Sequence, residues 1–284
     1  MSQPLATMIT LDIIQRRRSV RSYKTQPLAP ELRTEVESIV QRQAPGFFGN
    51  TPHFSLVERD RARHAEKVKL GTYGFIQGAP YFIAGAIERK PQAEVDFGYL
   101  AEHIVLEMTR LGLGTCWLGG TFSREEFAKV MHLEGTSWIP ATLALGYPAE
   151  KSLMEKAVRW GSKAGTRLPW SDLFFDDDFS RPLTKEAAGQ YADVLDMVRR
   201  GPSASNKQPW RFLKDNAGFH LFLVRTPGYR KWVPSTDLQM IDMGIAMRHF
   251  DAAAGARGLS GRWEILPHDA QPTEGTEYIV SWVI

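Results

Sequence analysis

The chain of 284 residues has a single cysteine, Cys116, which excludes an intramolecular disulfide framework and suits a reducing compartment. It has no run of about 18 apolar residues, so no transmembrane helix is expected. Charge of one sign is also lacking. The net charge is +3, with the Lys and Arg scattered, which argues against nucleic acid as a partner. The seven histidines show no metal-ligand spacing, so no metal is expected. Gly112-Leu113-Gly114 follows a helical pattern rather than a strand, which removes it as a dinucleotide fingerprint. At the N-terminus, MSQPLATMITLDIIQRRR places its basic residues after the apolar ones and does not read as a secretory signal. Cytoplasmic residence is the default expectation.

What the chain does have is a repeat. Asp96–Trp117, DFGYLAEHIVLEMTRLGLGTCW, returns without a gap as Asp242–Trp263, DMGIAMRHFDAAAGARGLSGRW. Six of the 22 aligned positions are identical (Asp96/Asp242, Gly98/Gly244, His103/His249, Gly112/Gly258, Leu113/Leu259, Trp117/Trp263), against about one or two by chance. The displacement of 146 positions is too long for a solenoid and reads as two similar halves joined end to end. The expected division is 1–150, a polar linker over 151–183 that includes Asp176–Asp178, and 184–284.

Periodicity predicts helices over 10–18 with Thr10 as N-cap, from Pro30 to Arg42, over 62–77, 96–111, 123–131 (Ser123 as N-cap, Glu126 three residues on), 184–199 and 240–256. Strands are expected at HFSLVE, 79–87, ATLALGY, 211–213, 219–225 and the terminal EYIVSWVI. Helices outnumber strands in this reading, and the pattern is α+β, one sheet with helices packed around it. The 96–111 helix is apolar nearly all round and should be buried on most sides.

Three loops carry the chemistry. RRRSVRSY (16–23) reads either as a solvated basic turn or as a phosphate clamp, since arginine forks and a serine hydroxyl match phosphate oxygens. GPSASNKQPW (201–210) is either a turn rich in turn formers or a polar loop beside an aromatic wall that suits a heteroaromatic ligand. In Trp117-Leu118-Gly119-Gly120, glycine lets backbone N–H groups approach a ligand. Cys116 reads as a small packed residue rather than a nucleophile, and His103 and His249 as satisfied core histidines.

RRSVRSY, PSxxNxQPW and GLGTCWLGG followed by ALGYP together resemble the FMN-dependent nitroreductase family. The resemblance implies FMN as cofactor, NADH or NADPH as co-substrate, and a nitroaromatic, quinone or related small molecule as acceptor. In an ordinary member, one subunit provides the RRS and WxGG segments and the other the PSxxNxQPW loop. Here the first half holds RRRSVR and CWLGG, while PGFFGNTPHF (45–54) stands where its own loop should be. The second half holds PSASNKQPW but ends its long helix in SGRWEI. These complementary losses resemble a single-chain branch, a fused pseudo-dimer with one FMN, in which each half has its own small sheet and long central helix and a monomer suffices.

Carried over by the resemblance, Arg17, Arg18 and Ser19 would contact phosphate and ribityl, and Arg21 the ribityl chain or the flavin O2/N1 edge. Gly119 and Gly120 would face flavin N5, Arg167 would close on the phosphate, and Pro202, Ser203, Ala204 and Asn206 would hold the ring. Ala204 stands where a second serine is common. No general acid or nucleophile is implied. A flavin binder with little turnover and a specialised reaction such as reductive dehalogenation are the alternative readings.

Overall fold

The computed structural model describes residues 9–42, 44–59, 72, 74–150, 165–267 and 276–284. Its centre is the repeated helix. The first copy is Ala93–Arg110 and the second Leu238–Ala256, with 14 of 18 and 15 of 19 residues buried. Helices so apolar on every side can only be accommodated inside a core. Both end the same way: Gly112 at φ 76° and Gly258 at φ 68° take the left-handed conformation that glycine adopts without steric cost.

The two helices cross at their repeated glycines. A Cβ on Gly98 would lie 2.2 Å from the carbonyl oxygen of Ile241, and one on Gly244 would lie 1.9 Å from that of Val95. Val95 and Ile241 are themselves repeat equivalents, so the same contact is made twice with the halves exchanged. This is the signature of a pseudo-twofold axis through the crossing. Alongside it, the Tyr99 hydroxyl donates to Asp251 at 2.6 Å, and Arg248 bonds both.

In chain order, α1 is Leu11–Arg16, α2 Pro30–Val40, β1 His53–Glu58, β2 Tyr81–Glu88, α3 the first central helix, β3 Gly114–Leu118, α4 Arg124–Val130, β4 Ser137–Trp138 and β5 Thr142–Gly146. The second half continues with β6 Phe174–Asp176, β7 Asp178–Pro182, α5 Lys185–Ala188, α6 Ala192–Arg199, β8 Trp210–Lys214, β9 Gly218–Val224, α7 the second central helix, β10 Arg262–Glu264 and β11 Thr276–Val283. The fold class is α+β, as the pattern indicates, with a sheet in each half, as the resemblance implies, rather than the single sheet of the periodicity reading, and among the described residues strands outnumber α-helices. The first sheet runs β1-β2-β5-β3, antiparallel, with β4 pairing β2. The second runs β10-β11-β9-β8-β6-β7 and is mixed, because β6 lies parallel to β8. Asp176–Asp178 therefore belongs to a strand pair and its connecting residue, with Arg181 bonded to Asp176 and Asp177.

Local chemistry explains most boundaries. Pro30 opens α2 at a position whose N–H has no intrahelical partner. The Ser123 hydroxyl caps α4 by accepting the Glu126 N–H. Thr10 occupies the N-cap of α1 with extended backbone, but its hydroxyl bonds Asp12 instead of a backbone amide. The helix expected over 62–77 lies mostly outside the described residues, and residues 74–77 carry a turn and an isolated bridge.

The hydrophobic clusters ignore the boundary between halves. Ile9, Ile13, Ile14, Val95 and Leu106 from the first half join the cluster around Phe250 and Trp210, and Leu238, Ile241 and Ile245 from the second join the one around Phe97 and Val105. Phe250 stacks on Phe212 at 5.4 Å between centroids and lies 5.3 Å from Trp282, contacts that add about 0.5–1.5 kcal/mol each beyond area burial.

The two repeated histidines differ. His249 is satisfied: its Nδ1 donates to the Met197 carbonyl at 2.9 Å and its Nε2 meets Glu102 at 2.9 Å. His103, expected to be satisfied as well, is 4% exposed with both ring nitrogens unpaired. Burial, aided by Arg248 and Arg42, pushes its pKa down to about 2. The folded protein thus keeps His103 neutral, while the unfolded chain takes up a proton below about pH 6.5. Stability is therefore lost as the pH falls from about 6.5 towards 2, by about 2 kcal/mol from this group at pH 5. His103→Leu is expected to flatten the loss between pH 7 and pH 5 in urea unfolding; an unaltered slope would contradict the assignment.

Candidate functional site

Beyond α1 the chain runs extended along the first sheet. Ser19 bridges to Thr115, Ser22 to Gln77 and Tyr23 to Pro148, and the Val20 N–H donates to Thr115 at 2.8 Å. Alternation along extended backbone sends Val20 inward and its neighbours outward. Val20 packs so closely on Gly114 that a Cβ there would lie 2.8 Å from it. Ser19 and Arg21, on the other side, line a cleft of about 490 Å³.

The cleft is walled by both halves. The first supplies Ser19, Arg21, Phe75 and residues 116–121; the second supplies Pro202–Ser205, Tyr229, Trp232 and the start of α7. Its volume falls within the roughly 300–1,000 Å³ of cofactor sites. A second hollow of about 250 Å³ lies beside Asn50 and His53 and is lined by first-half residues alone.

The Gly119-Gly120 turn follows β3. A Cβ at Gly119 would lie 2.6 Å from Leu238 Cδ2, and one at Gly120 3.0 Å from Val233 Cγ2. Both glycines thus let the side chains of Leu238 and Val233 of the second half pack closely on the turn. Arg124 fixes the turn, donating to Gly119 O at 2.5 Å, Pro140 O at 3.0 Å and Ile139 O at 3.2 Å, with Thr236 of the second half at 3.4 Å. Cys116 is packed, as expected, though it also reaches the cleft wall.

The opposing loop is strained. Ser205, Asn206 and Gln208 all have positive φ (49°, 55° and 47°), and none is a glycine. Each such residue costs on the order of 1 kcal/mol and persists only where its surroundings hold it, a pattern that clusters at ligand sites. The restraints are explicit. Ser203 Oγ accepts the Gln208 N–H at 2.8 Å, Gln208 Oε1 accepts the Leu168 N–H at 3.0 Å, and Asn206 Nδ2 donates to Thr166 O at 3.2 Å. The Ala204 N–H donates to Asp242 at 2.9 Å.

Of the residues singled out in the sequence, Ser19, Arg21, Gly119, Gly120, Pro202, Ser203 and Ala204 come together on the cleft. Arg17, Arg18, Arg167 and Asn206 are not on its lining. Arg17 is 9% exposed, its Nε 3.8 Å from Glu102 Oε1 and its Nη2 3.5 Å from the Arg200 carbonyl; burial pulls its pKa down, with Glu102 opposing. Arg167 bonds the same carbonyl at 3.1 Å and Asn206 Oδ1 at 3.2 Å. Arg18 is exposed. An arginine pair therefore converges on Arg200, two residues before Pro202.

Sequence reasoning missed Asp242, Arg124, Tyr229 and Trp232 as site residues, while Gln208 was legible as part of the PSxxNxQPW segment. Asp242 left a signal, because it repeats Asp96. The others left none, since a single arginine at a helix start or a single aromatic residue in a short turn carries no period.

The model of the family described as "Putative TM nitroreductase" matches residues 10–254. The chain belongs to this nitroreductase family. A Thermotoga maritima structure described as a "putative nitroreductase" is 17% identical, with 100% of this chain and 99% of that one covered and a TM-score of 0.59, so the fold is shared over the full length. Smaller nitroreductases align with about half of the chain. One from Bacteroides thetaiotaomicron, described as "Putative NADH dehydrogenase/NAD(P)H nitroreductase", is 23% identical over 50% of this chain and 88% of its own, with a TM-score of 0.41. An FMN and NADPH-dependent nitroreductase from Sphigopyxis sp. strain HMH is 17% identical over 51% and 90%, with a TM-score of 0.40. No curated protein matches. Among the described residues, no helix of this chain is long and apolar enough to cross a membrane.

Proposed function

We propose that this member of the nitroreductase family is a cytoplasmic, FMN-dependent oxidoreductase that draws hydride from NADH or NADPH and passes it to a nitroaromatic, quinone or related small acceptor. The observation that carries the reading is the composite cleft, where the Ser19–Arg21 edge and the Gly119-Gly120 turn of one half face the strained 202–208 loop of the other. The names of the FMN- and NADPH-dependent relatives support the same cofactor and co-substrate.

The residues present fit FMN. Arg21 Nη1 is buried at the cleft without a partner, a donor that awaits an acceptor. Ser19, Arg21, the backbone at Gly119 and Gly120, and Pro202, Ser203 and Ala204 would hold the ring and its chain. Arg18, Arg167 and Asn206 would bring positive charge and donors to the phosphate end, while the buried Arg17 would hold the Arg200 carbonyl behind the loop. FMN, when bound, supplies the hydride chemistry. The chain's part is to keep the ring between two rigid walls and to set donors where negative charge develops.

The open side suits flat acceptors. Trp232 is 83% exposed and Phe75 40% exposed, both on the cleft. Large aromatic side chains left in water at a cleft mouth favour a stacked aromatic partner, worth about 0.5–1.5 kcal/mol. Trp232→Ala is therefore expected to raise the KM for a nitroaromatic by about 2–10-fold, with FMN affinity unchanged. An unchanged KM in steady-state kinetics would remove Trp232 from the acceptor site.

Both walls belong to one chain, so a monomer completes the site, with half one at 1–150 and half two at 184–284, the β6–β7 strands of the intervening 151–183 joining the second half's sheet. The reading is tested by adding NADH or NADPH anaerobically to the FMN-loaded protein. Bleaching of the flavin absorption is expected with one of the two; a protein that stays yellow with both is a binder and not a reductase.

A further inference from the structure

The repeats diverge at one buried carboxyl. On α3, Asp96 accepts three hydrogen bonds from its loop: the Phe48 N–H at 3.0 Å, the Asn50 N–H at 2.9 Å and Asn50 Nδ2 at 3.0 Å. Asp242 occupies the equivalent place on α7 and is 2% exposed. Its Oδ1 accepts the Ala204 N–H at 2.9 Å, and its Oδ2 has no partner. With the two loops aligned on their prolines (Pro45 and Pro52 on Pro202 and Pro209), the counterpart of Asn50 is Lys207, and the two bonds Asn50 makes have no equivalent. There is a second difference: Asp242 lines the cleft and Asp96 does not.

A carboxylate with one N–H donor and no cation would be an uncompensated buried charge, which proteins avoid by neutralising the group. A carboxylic acid matches the surroundings better. It needs one donor for its carbonyl oxygen, which Ala204 supplies, and one acceptor for its O–H, which the protein does not supply. Burial pushes the Asp242 carboxyl well above the usual carboxylate range, nearby Asp237 adds to this, and the Ala204 bond opposes it.

We propose that Asp242 is a positioning residue, kept as a carboxylic acid whose Oδ2–H donates to a ring oxygen or nitrogen of the flat heteroaromatic group seated in the cleft. The proposal rests on the FMN reading above. It makes one residue do two things: Oδ1 holds the loop at Ala204, and Oδ2 fixes the ring relative to that loop. The duplication supplied a structural aspartate twice, and the copy that lost its other loop donors acquired a ligand contact.

The test uses the full chain, freed of flavin and titrated with FMN, with fluorescence and infrared difference spectra recorded for wild type, Asp242→Asn and Asp242→Leu. Wild type labelled with ¹³C-aspartate is expected to show the carbonyl stretch of a protonated carboxyl that moves to lower frequency when FMN binds, and Asp242→Asn to lose that band. Asparagine can accept from Ala204 and donate from Nδ2, so Asp242→Asn should bind FMN within about 3-fold of wild type, while Asp242→Leu should lose about 10-fold, one hydrogen bond's worth. A wild-type spectrum without a shifting protonated-carboxyl band overturns the proposal whether or not the variants fold. So does an Asp242→Asn that binds as weakly as Asp242→Leu. If wild type itself does not bind FMN, it is the FMN reading that fails.

Discussion

Gly244→Ala is expected to destabilise the protein by about 3 kcal/mol or more, although alanine is the better helix former by about 1 kcal/mol. The added Cβ would lie 1.9 Å from the Val95 carbonyl oxygen and 2.6 Å from the Tyr99 nitrogen. Both are main-chain atoms of α3, so no side chain can swing away and the two central helices must part. Parting them opens the packing of Phe97, Met243 and Met247, all at most 1% exposed. Overpacking a well-filled core costs about 1–3 kcal/mol even where side chains can adjust. Gly98→Ala meets the mirror contact, 2.2 Å from Ile241 O, and should behave alike. Gly255 provides the control. It lies on the same helix with nothing within 4 Å of an added Cβ, so Gly255→Ala should be neutral or stabilising by up to about 1 kcal/mol. Urea unfolding of the three variants decides the matter: equal stability of Gly244→Ala and Gly255→Ala would contradict the helix crossing.

The second large effect is expected at Glu102, which is fully buried and ties the halves together electrostatically. Its Oε2 accepts Trp117 Nε1 at 2.8 Å, beside the cleft, and its Oε1 meets His249 Nε2 at 2.9 Å, with Arg17 Nε at 3.8 Å. Glu102→Leu strips all three at once. It leaves the Arg17 guanidinium buried with a single long contact to the Arg200 carbonyl, and an uncompensated buried charge costs about 3–5 kcal/mol. Glu102→Gln keeps one acceptor oxygen and should cost less than half as much. Chemical denaturation measures the stabilities. Because Trp117 lies on the cleft, FMN affinity should fall with Glu102→Leu too; a Glu102→Leu protein as stable as wild type would mean that the network does not hold Arg17.

Much of this was readable in the sequence, for a physical reason. Gly98 and Gly244 recur because two backbones touch there and admit no Cβ. Gly112 and Gly258 recur because both helices end in a left-handed residue. Such positions leave a glycine in the sequence whatever surrounds them. The cleft residues near the GLGTCWLGG and PSASNKQPW segments were legible for the same reason: backbone constraints select Gly and Pro. Sheet membership was not. β6 joins β8 in parallel across 33 intervening residues that include β7, α5 and α6, and no local pattern encodes a pairing partner.

Side-chain roles were the least legible. Arg17 and Arg18 look alike in a basic run, yet the fold buries one against Glu102 and leaves the other in solvent. His103 and His249 are identical by alignment, but only His249 lies opposite Glu102 and the Met197 carbonyl at the end of α6. Positive φ at Ser205, Asn206 and Gln208 had no glycine to announce it, because hydrogen bonds to the Ser203 hydroxyl and the Thr166 carbonyl, and one from the Leu168 N–H, stabilise the strain instead.

The central claim is that fusion of two nitroreductase-like halves leaves one composite cofactor cleft. It is tested most directly by the number of FMN molecules bound per chain, measured by calorimetric titration of the flavin-free protein and checked by flavin absorption after gel filtration. The account predicts one FMN per chain on a monomer. Two per chain would mean that both pseudo-symmetric sites survive, and none would mean that the cleft serves another ligand; either result would contradict it.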